Sequence, residues 1–130
     1  MIILDASALV DIVLDLPSAT WVLDQLTEET IAPGHQQAEV LSALARLVRT
    51  GVLDADTGRA AVSDAGGLPQ RVVATSARQL GRAYELRERF RVADGLYIAL
   101  AEELDCPLVT TDLRLARAQP PCAVRHPGPM

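Results

Sequence analysis

Short apolar runs alternating with helix-length amphipathic segments predict an α/β domain built on a parallel sheet. Three observations carry that prediction. Met1-Ile2-Ile3-Leu4 and Leu108-Val109-Thr110-Thr111 are brief runs of the kind found in strands buried on both faces. The stretches between the strand candidates repeat apolar residues at helical spacing. Each of the two runs is followed directly by an aspartate, Asp5 and Asp112. In an open parallel sheet, ligands gather at the carboxyl ends of the strands.

In chain order, residues 2–4 predict a buried strand and 7–14 a helix that stops before Pro17. Ser18 is placed to cap a second helix whose apolar side carries Trp21, Val22 and Leu26. Residues 30–32 predict a short strand closed by Pro33-Gly34, and 36–49 a long helix with Gly51 as its stop. A helix over 54–65 ends at Gly66-Gly67 and Pro69, and a strand follows over 71–75. Helices are predicted over 76–90 and 93–104, a second buried strand over 107–110, a short helix over 112–118 and a final edge strand over 123–125. There is no internal repeat or low-complexity linker, so residues 1–130 read as a single domain.

Composition narrows the function classes. Hydrophobic residues make up 49% of the chain, enough for one substantial core. No apolar run approaches the length of a membrane span, and no basic, apolar and small-residue series marks a signal peptide, so a cytoplasmic protein is expected. The two cysteines, Cys106 and Cys122, lack the spacing of a zinc site and read as reduced core thiols. The net charge of −5 argues against a broad basic surface for nucleic acid. All twelve basic residues are arginine.

Two further acids stand in unusual surroundings. Glu39 lies inside the long helix on a stripe with Ser42, Ala43 and Arg46, as on a helix face bordering a cleft. Asp94 opens a helix rich in alanine and leucine, on a stripe with Tyr97, Ile98 and Ala101, so its carboxylate is expected to face protein. Taken singly, Asp5, Asp94 and Asp112 are better explained as helix caps, and Glu39 equally well as part of a solvated face. Taken together they raise an electrostatic problem. Two carboxylates about 4 Å apart repel by roughly 4 kcal/mol at an effective dielectric near 20. Several at one site hold protons or a cation. An all-carboxylate set suits hard ions such as Mg²⁺ or Mn²⁺, which activate water and steady the leaving oxygen in phosphodiester hydrolysis.

The segments Asp5-Ala6-Ser7, Ala38-Glu39-Val40-Leu41, the run from Val92 through Asp94 to Ala101, and Leu108-Val109-Thr110-Thr111-Asp112 together resemble the PIN domain. More closely, the chain resembles VapC-type toxins of bacterial toxin–antitoxin pairs, over essentially its whole length and in the expected order. The resemblance implies a three-layer α/β/α sandwich around a parallel sheet. It implies an endoribonuclease with Mg²⁺ or Mn²⁺ at an acidic quartet of Asp5, Glu39, Asp94 and Asp112, supported by Ser7 and Thr110. Ser42 stands where family members often carry an asparagine, which puts a hydrogen-bonding role there in doubt. An RNA substrate, a small cognate antitoxin and a homodimer are implied as partners.

An acidic ribonuclease must still hold a polyanion. Residues 78–91 carry five arginines against two glutamates, and Arg87 and Arg89 are the candidates for contacting RNA phosphate, with a solvated helix face as the alternative. With so few aromatics, a base-stacking platform is not expected. Receiver domains and haloacid-dehalogenase phosphatases are poor fits, because each needs a lysine that this chain lacks. A related nuclease acting on DNA and a catalytically silent PIN-like binding module stay open as alternatives.

Overall fold

The computed structural model describes residues 1–128 and forms five strands and seven helices among them. Its elements are β1 (Ile2–Leu4), α1 (Ala6–Val13), α2 (Ala19–Gln25), β2 (Thr30–Pro33), α3 (His35–Arg49) and α4 (Ala55–Gly66). There follow β3 (Arg71–Val73), α5 (Ala77–Glu85), α6 (Val92–Leu104), β4 (Leu108–Val109), α7 (Leu113–Arg117) and β5 (Val124–Arg125). The sheet order is β3-β2-β1-β4-β5, and every neighbouring pair is parallel.

The strand pleat sorts the core into two halves. Successive strand side chains point to opposite faces. Ile3, Ile31 and Leu108 pack on one face with Leu86, Phe90, Tyr97, Ile98, Leu100 and Leu115, from α6, α7 and the turn between α5 and α6. Ile2, Leu4 and Val109 pack on the other with Ala8, Leu9, Val22, Val40, Leu44 and Ala61, from α1 to α4. Helices on both sides of a parallel sheet give the expected three-layer α/β/α sandwich. β1 is fully buried, which explains why its sequence is apolar without alternation.

Two departures from the sequence-based expectations have clear causes. The helix expected over 76–90 ends at Glu85, and the chain continues in turns to Phe90. Those turns bury both Leu86 and Phe90 in the core beside α6. Ser18 stands at the N-cap of α2, but its hydroxyl donates to Asp11 at 3.0 Å rather than accepting from the helix. Elsewhere the caps follow the sequence: Asp54 accepts from the Thr57 amide, and Ser76 and Gln79 form a reciprocal capping box. Gly51, at a φ of 80°, closes α3 in a conformation that costs glycine little.

Topology positions the site. The chain leaves β1 to build β2 and β3 on one side, then crosses to build β4 and β5 on the other. The crevice beyond the carboxyl ends of β1 and β4 is therefore a topological switch point. The register pairs Leu4 with Val109, which sets Asp5 beside Thr110. The Asp5 amide donates to the Val109 carbonyl at 3.1 Å and extends the ladder by one bond. On the β2 side, the buried amide of Gln36 donates to the Leu4 carbonyl at 2.9 Å, tying the start of α3 to the end of β1.

Candidate active site at the carboxyl ends of β1 and β4

Asp5 is the hub. It caps α1, with Oδ1 accepting from the Ala8 amide at 2.9 Å and from the Ser7 hydroxyl at 2.7 Å. Its Oδ2 accepts from the Thr110 hydroxyl across the switch point. Thr110 Oγ1 in turn accepts from the Asp112 amide at 3.0 Å, and Ser7 Oγ from the Thr111 amide at 3.2 Å. The two small hydroxyl residues thus stitch strand ends that lie 105 positions apart in sequence. Asp5 is only 4% exposed. Burial pushes its carboxyl up from the usual 3.8 to about 6, against the pull of the three hydrogen bonds and helped by the nearby Asp112 charge.

Asp94 and Asp112 meet through an arginine. Arg114 Nη2 donates to Asp94 Oδ2 at 3.1 Å and to Asp112 Oδ2 at 3.0 Å, so both carboxylates lie within one nitrogen's reach. Asp112 also caps α7, its Oδ1 accepting from the Leu115 amide. Asp94 is not a cap; Arg91 takes that position, and Asp94 sits in the first turn of α6 at 5% exposure. A second cation, Arg91, reaches Asp94 at 3.2 Å. The expectation that Asp94 faces protein is met.

Glu39 is held one layer away. Its Oε1 accepts from the Tyr97 hydroxyl at 2.8 Å, and His35 Nε2 lies 3.5 Å from the same oxygen. His35 Nε2 is also 3.0 Å from the Ala93 carbonyl; a carbonyl only accepts, so that nitrogen carries the proton. The His35 ring packs against Tyr97 with centroids 4.4 Å apart. Tyr97 is pushed well above its ordinary value, first by burial, then by the neighbouring Glu39 charge and hydrogen bond, with a smaller contribution from Asp5. Its phenol therefore stays a donor at any working pH.

These contacts link Asp5, Asp94 and Asp112 at the strand ends, while Glu39 is held separately by Tyr97 and His35. Among the described residues, however, no three His, Cys, Asp or Glu side chains stand close enough to form a ready metal cage. Like charges explain the spacing: Asp94 and Asp112 turn to a guanidinium instead of to each other.

A family model described as the PIN domain matches residues 2–119. The chain belongs to the PIN domain family. PIN-domain relatives cover nearly its whole length. Ribonuclease VapC12 of Mycobacterium tuberculosis is 40% identical over 119 residues, spanning 91% of this chain and 92% of its own. Ribonuclease VapC3 of the same species is 37% identical over 121 residues, spanning 92% of this chain and 88% of its own. Among solved structures, a toxin-antitoxin complex from Klebsiella pneumoniae superposes with a TM-score of 0.72 at 17% identity, covering both chains fully, which shows a shared fold.

Within this PIN domain the donor chemistry fits a hard divalent cation. The groups at the crevice are carboxylate and hydroxyl oxygens, and Asp94 and Asp112 already share one positive group, the Arg114 guanidinium. Four participants were not anticipated as site residues from the sequence: His35, Arg91, Tyr97 and Arg114. Arg91 lies three residues before Asp94 and Arg114 two after Asp112, so short spacing to the acids was their one available signal. Arg87 and Arg89 lie elsewhere. Arg87 stacks on the Tyr84 ring at 4.1 Å, and Arg89 donates to the carbonyls of Ala118 and Gln119.

Proposed function

We propose that this chain is a metal-dependent endoribonuclease, the toxin of a toxin–antitoxin pair, with Asp5, Glu39, Asp94 and Asp112 as its catalytic acids. The observation that carries the reading is the convergence of Asp5, Asp94 and Asp112 at the β1–β4 switch point of a PIN domain whose relatives are named ribonucleases. Asp5, Asp94 and Asp112 would hold Mg²⁺ or Mn²⁺, with Glu39 completing the site directly or through water. When bound, such an ion lowers the pKa of a water and stabilises charge on the phosphate oxygens.

The protein's own residues prepare that chemistry. Ser7 and Thr110 fix both Asp5 oxygens, so the carboxylate does not rotate away. Tyr97 and His35 hold Glu39 at the crevice edge, where a carboxylate oxygen is suited to accept a proton from water. Arg91 and Arg114 give the buried Asp94 side chain two cationic partners that fix its orientation. RNA is the proposed substrate, a small antitoxin protein the proposed partner, and a homodimer the proposed assembly. A phosphate-binding role for Arg87 and Arg89 has less support, because both guanidiniums already serve local contacts.

The test is expression of the wild type and of Asp5→Asn, each with and without the product of the neighbouring upstream reading frame. Growth arrest by the wild type alone, relieved by the neighbour and absent in the variant, is the expected pattern. Purified protein should cut RNA with Mn²⁺ and not with a chelator. Equal arrest by Asp5→Asn would refute the assignment and favour a silent binding module, in which Asp5 and Asp112 serve only as the caps they form.

A further inference from the structure

One cleft opens beside the acids. It has a volume of about 600 Å³ and is lined by Ser7 and Asp11 of α1, by His35, Glu39 and Arg46 of α3, and by Arg91. The stripe of small residues that follows Glu39 along α3 forms its wall, including Ser42 and Ala43. Four of its lining residues, Ser7, His35, Glu39 and Arg91, belong to the candidate active site, so a strand reaching the acids from this side passes through it. The cleft presents a phosphate with two carboxylates, Asp11 and Glu39, and two guanidiniums, Arg46 and Arg91.

The arginines differ in how far they are committed. Arg91 is engaged with Asp94, although its side chain is 68% exposed. Arg46 is exposed along the cleft wall and forms no ion pair with any described residue. It stands seven residues after Glu39 on the same helix face, about 10.5 Å along the axis. A guanidinium that lines a polar cleft and has no partner among the described residues has its full set of donors available for an anion.

We propose that Arg46, with Arg91 at the cleft mouth, holds the phosphodiester backbone of a single RNA strand and so positions the strand against the acids. This rests on the ribonuclease reading and adds to it the residues that bind substrate. Arg46 touches a phosphate remote from the reacting one, and it acts as a binding and positioning residue. Because a phosphate contact carries no base information, the clamp serves any sequence that threads the cleft.

The experiment measures binding of a labelled twelve-residue oligouridylate across a range of salt concentrations, in the Asp5→Asn background so that no strand is cut. Each phosphate contact on a single strand contributes about −0.7 to the slope of log K against log salt. Arg46→Ala should therefore flatten the slope by about 0.7 and weaken binding about fivefold at 0.1 M salt. Arg46→Lys should restore most of the slope. Arg59→Ala, an exposed arginine of α4 outside this cleft, should change nothing. In the otherwise wild-type enzyme, Arg46→Ala should raise KM for RNA while kcat stays within about twofold, as for loss of uniform binding. Thermal melts establish that each variant is folded. A slope unchanged by Arg46→Ala, where the Asp5→Asn parent binds the oligonucleotide and the wild type cleaves RNA, would overturn this inference and leave the ribonuclease reading intact. An Asp5→Asn parent that does not bind the oligonucleotide, together with a wild type that does not cut total bacterial RNA, would overturn both.

Discussion

Asp5→Asn is expected to make the metal-free protein more stable at neutral pH, although it removes a hub of the site. Burial raises the Asp5 carboxyl from 3.8 to about 6, so the folded protein binds this proton more tightly than the unfolded chain. Below about pH 4 both states are protonated and the residue is neutral in its effect. As pH climbs from about 4 to about 6 the unfolded chain ionises first, and stability falls; beyond that window the loss is complete and constant. At about 1.4 kcal/mol for each tenfold difference in proton affinity, the ionised carboxylate costs on the order of 3 kcal/mol at pH 8. Asparagine abolishes that cost and keeps a carbonyl for the Ser7 hydroxyl and the Ala8 amide. Its amide faces Thr110, whose hydroxyl oxygen already accepts from the Asp112 amide, so about 1 kcal/mol of hydrogen bonding is lost. The net gain is about 1–2 kcal/mol, or roughly 4–8 °C in Tm for a chain of this size. Denaturant unfolding in chelator, from pH 4 to pH 8, measures it: the wild type should be slightly the more stable at the acid end, and the variant the more stable above pH 6. An Asp5→Asn variant less stable than the wild type at pH 8 would show that hydrogen bonding, not buried charge, dominates there.

Other substitutions probe neighbouring contacts. Tyr97→Phe removes the donor to Glu39 Oε1; it should cost about 1 kcal/mol in stability and lower kcat more than it changes KM for RNA, which steady-state kinetics will separate. Arg114→Ala removes the positive charge shared by Asp94 and Asp112, so Mn²⁺ affinity measured by calorimetry should rise severalfold; unchanged or weaker binding would place the ion away from those two carboxylates. Gly95→Ala sets a Cβ 3.1 Å from the Ala83 Cα and 3.3 Å from its carbonyl oxygen, both backbone atoms of α5. Forcing α5 from α6 should cost about 1–3 kcal/mol, read from denaturant midpoints at unchanged m-value.

Much of this molecule was legible before any coordinates, because its strongest signals are physical necessities. A strand buried on both faces must be apolar, and β1 announced itself in three residues. The aspartates after β1 and β4 were legible for the same reason, since parallel strands end together at one sheet edge. The stripe of Glu39, Ser42, Ala43 and Arg46 was expected to border a cleft, and it does. What the sequence withheld depends on three-dimensional partners. Asp5 and Asp112 do cap helices, as one alternative held, and each carboxylate uses one oxygen for the helix and turns the other to the crevice. Arg114 was invisible as a bridge, since its reach to Asp94 spans 20 positions and follows from α7 docking beside α6. The early end of α5 was missed because Leu86 and Phe90 fit a helical pattern as well as the turns that bury them.

The stitching of Asp5 to Thr110 has a consequence for when the crevice takes shape during folding. The two hydroxyl-to-carboxylate contacts that orient Asp5 draw on residues from opposite ends of the chain, and the bond to Thr110 closes a loop of 105 positions. Such a closure is among the slowest and most cooperative events in folding. A nascent chain still lacking β4 therefore has no assembled crevice, and the arrangement arrives all at once, with the last central strand.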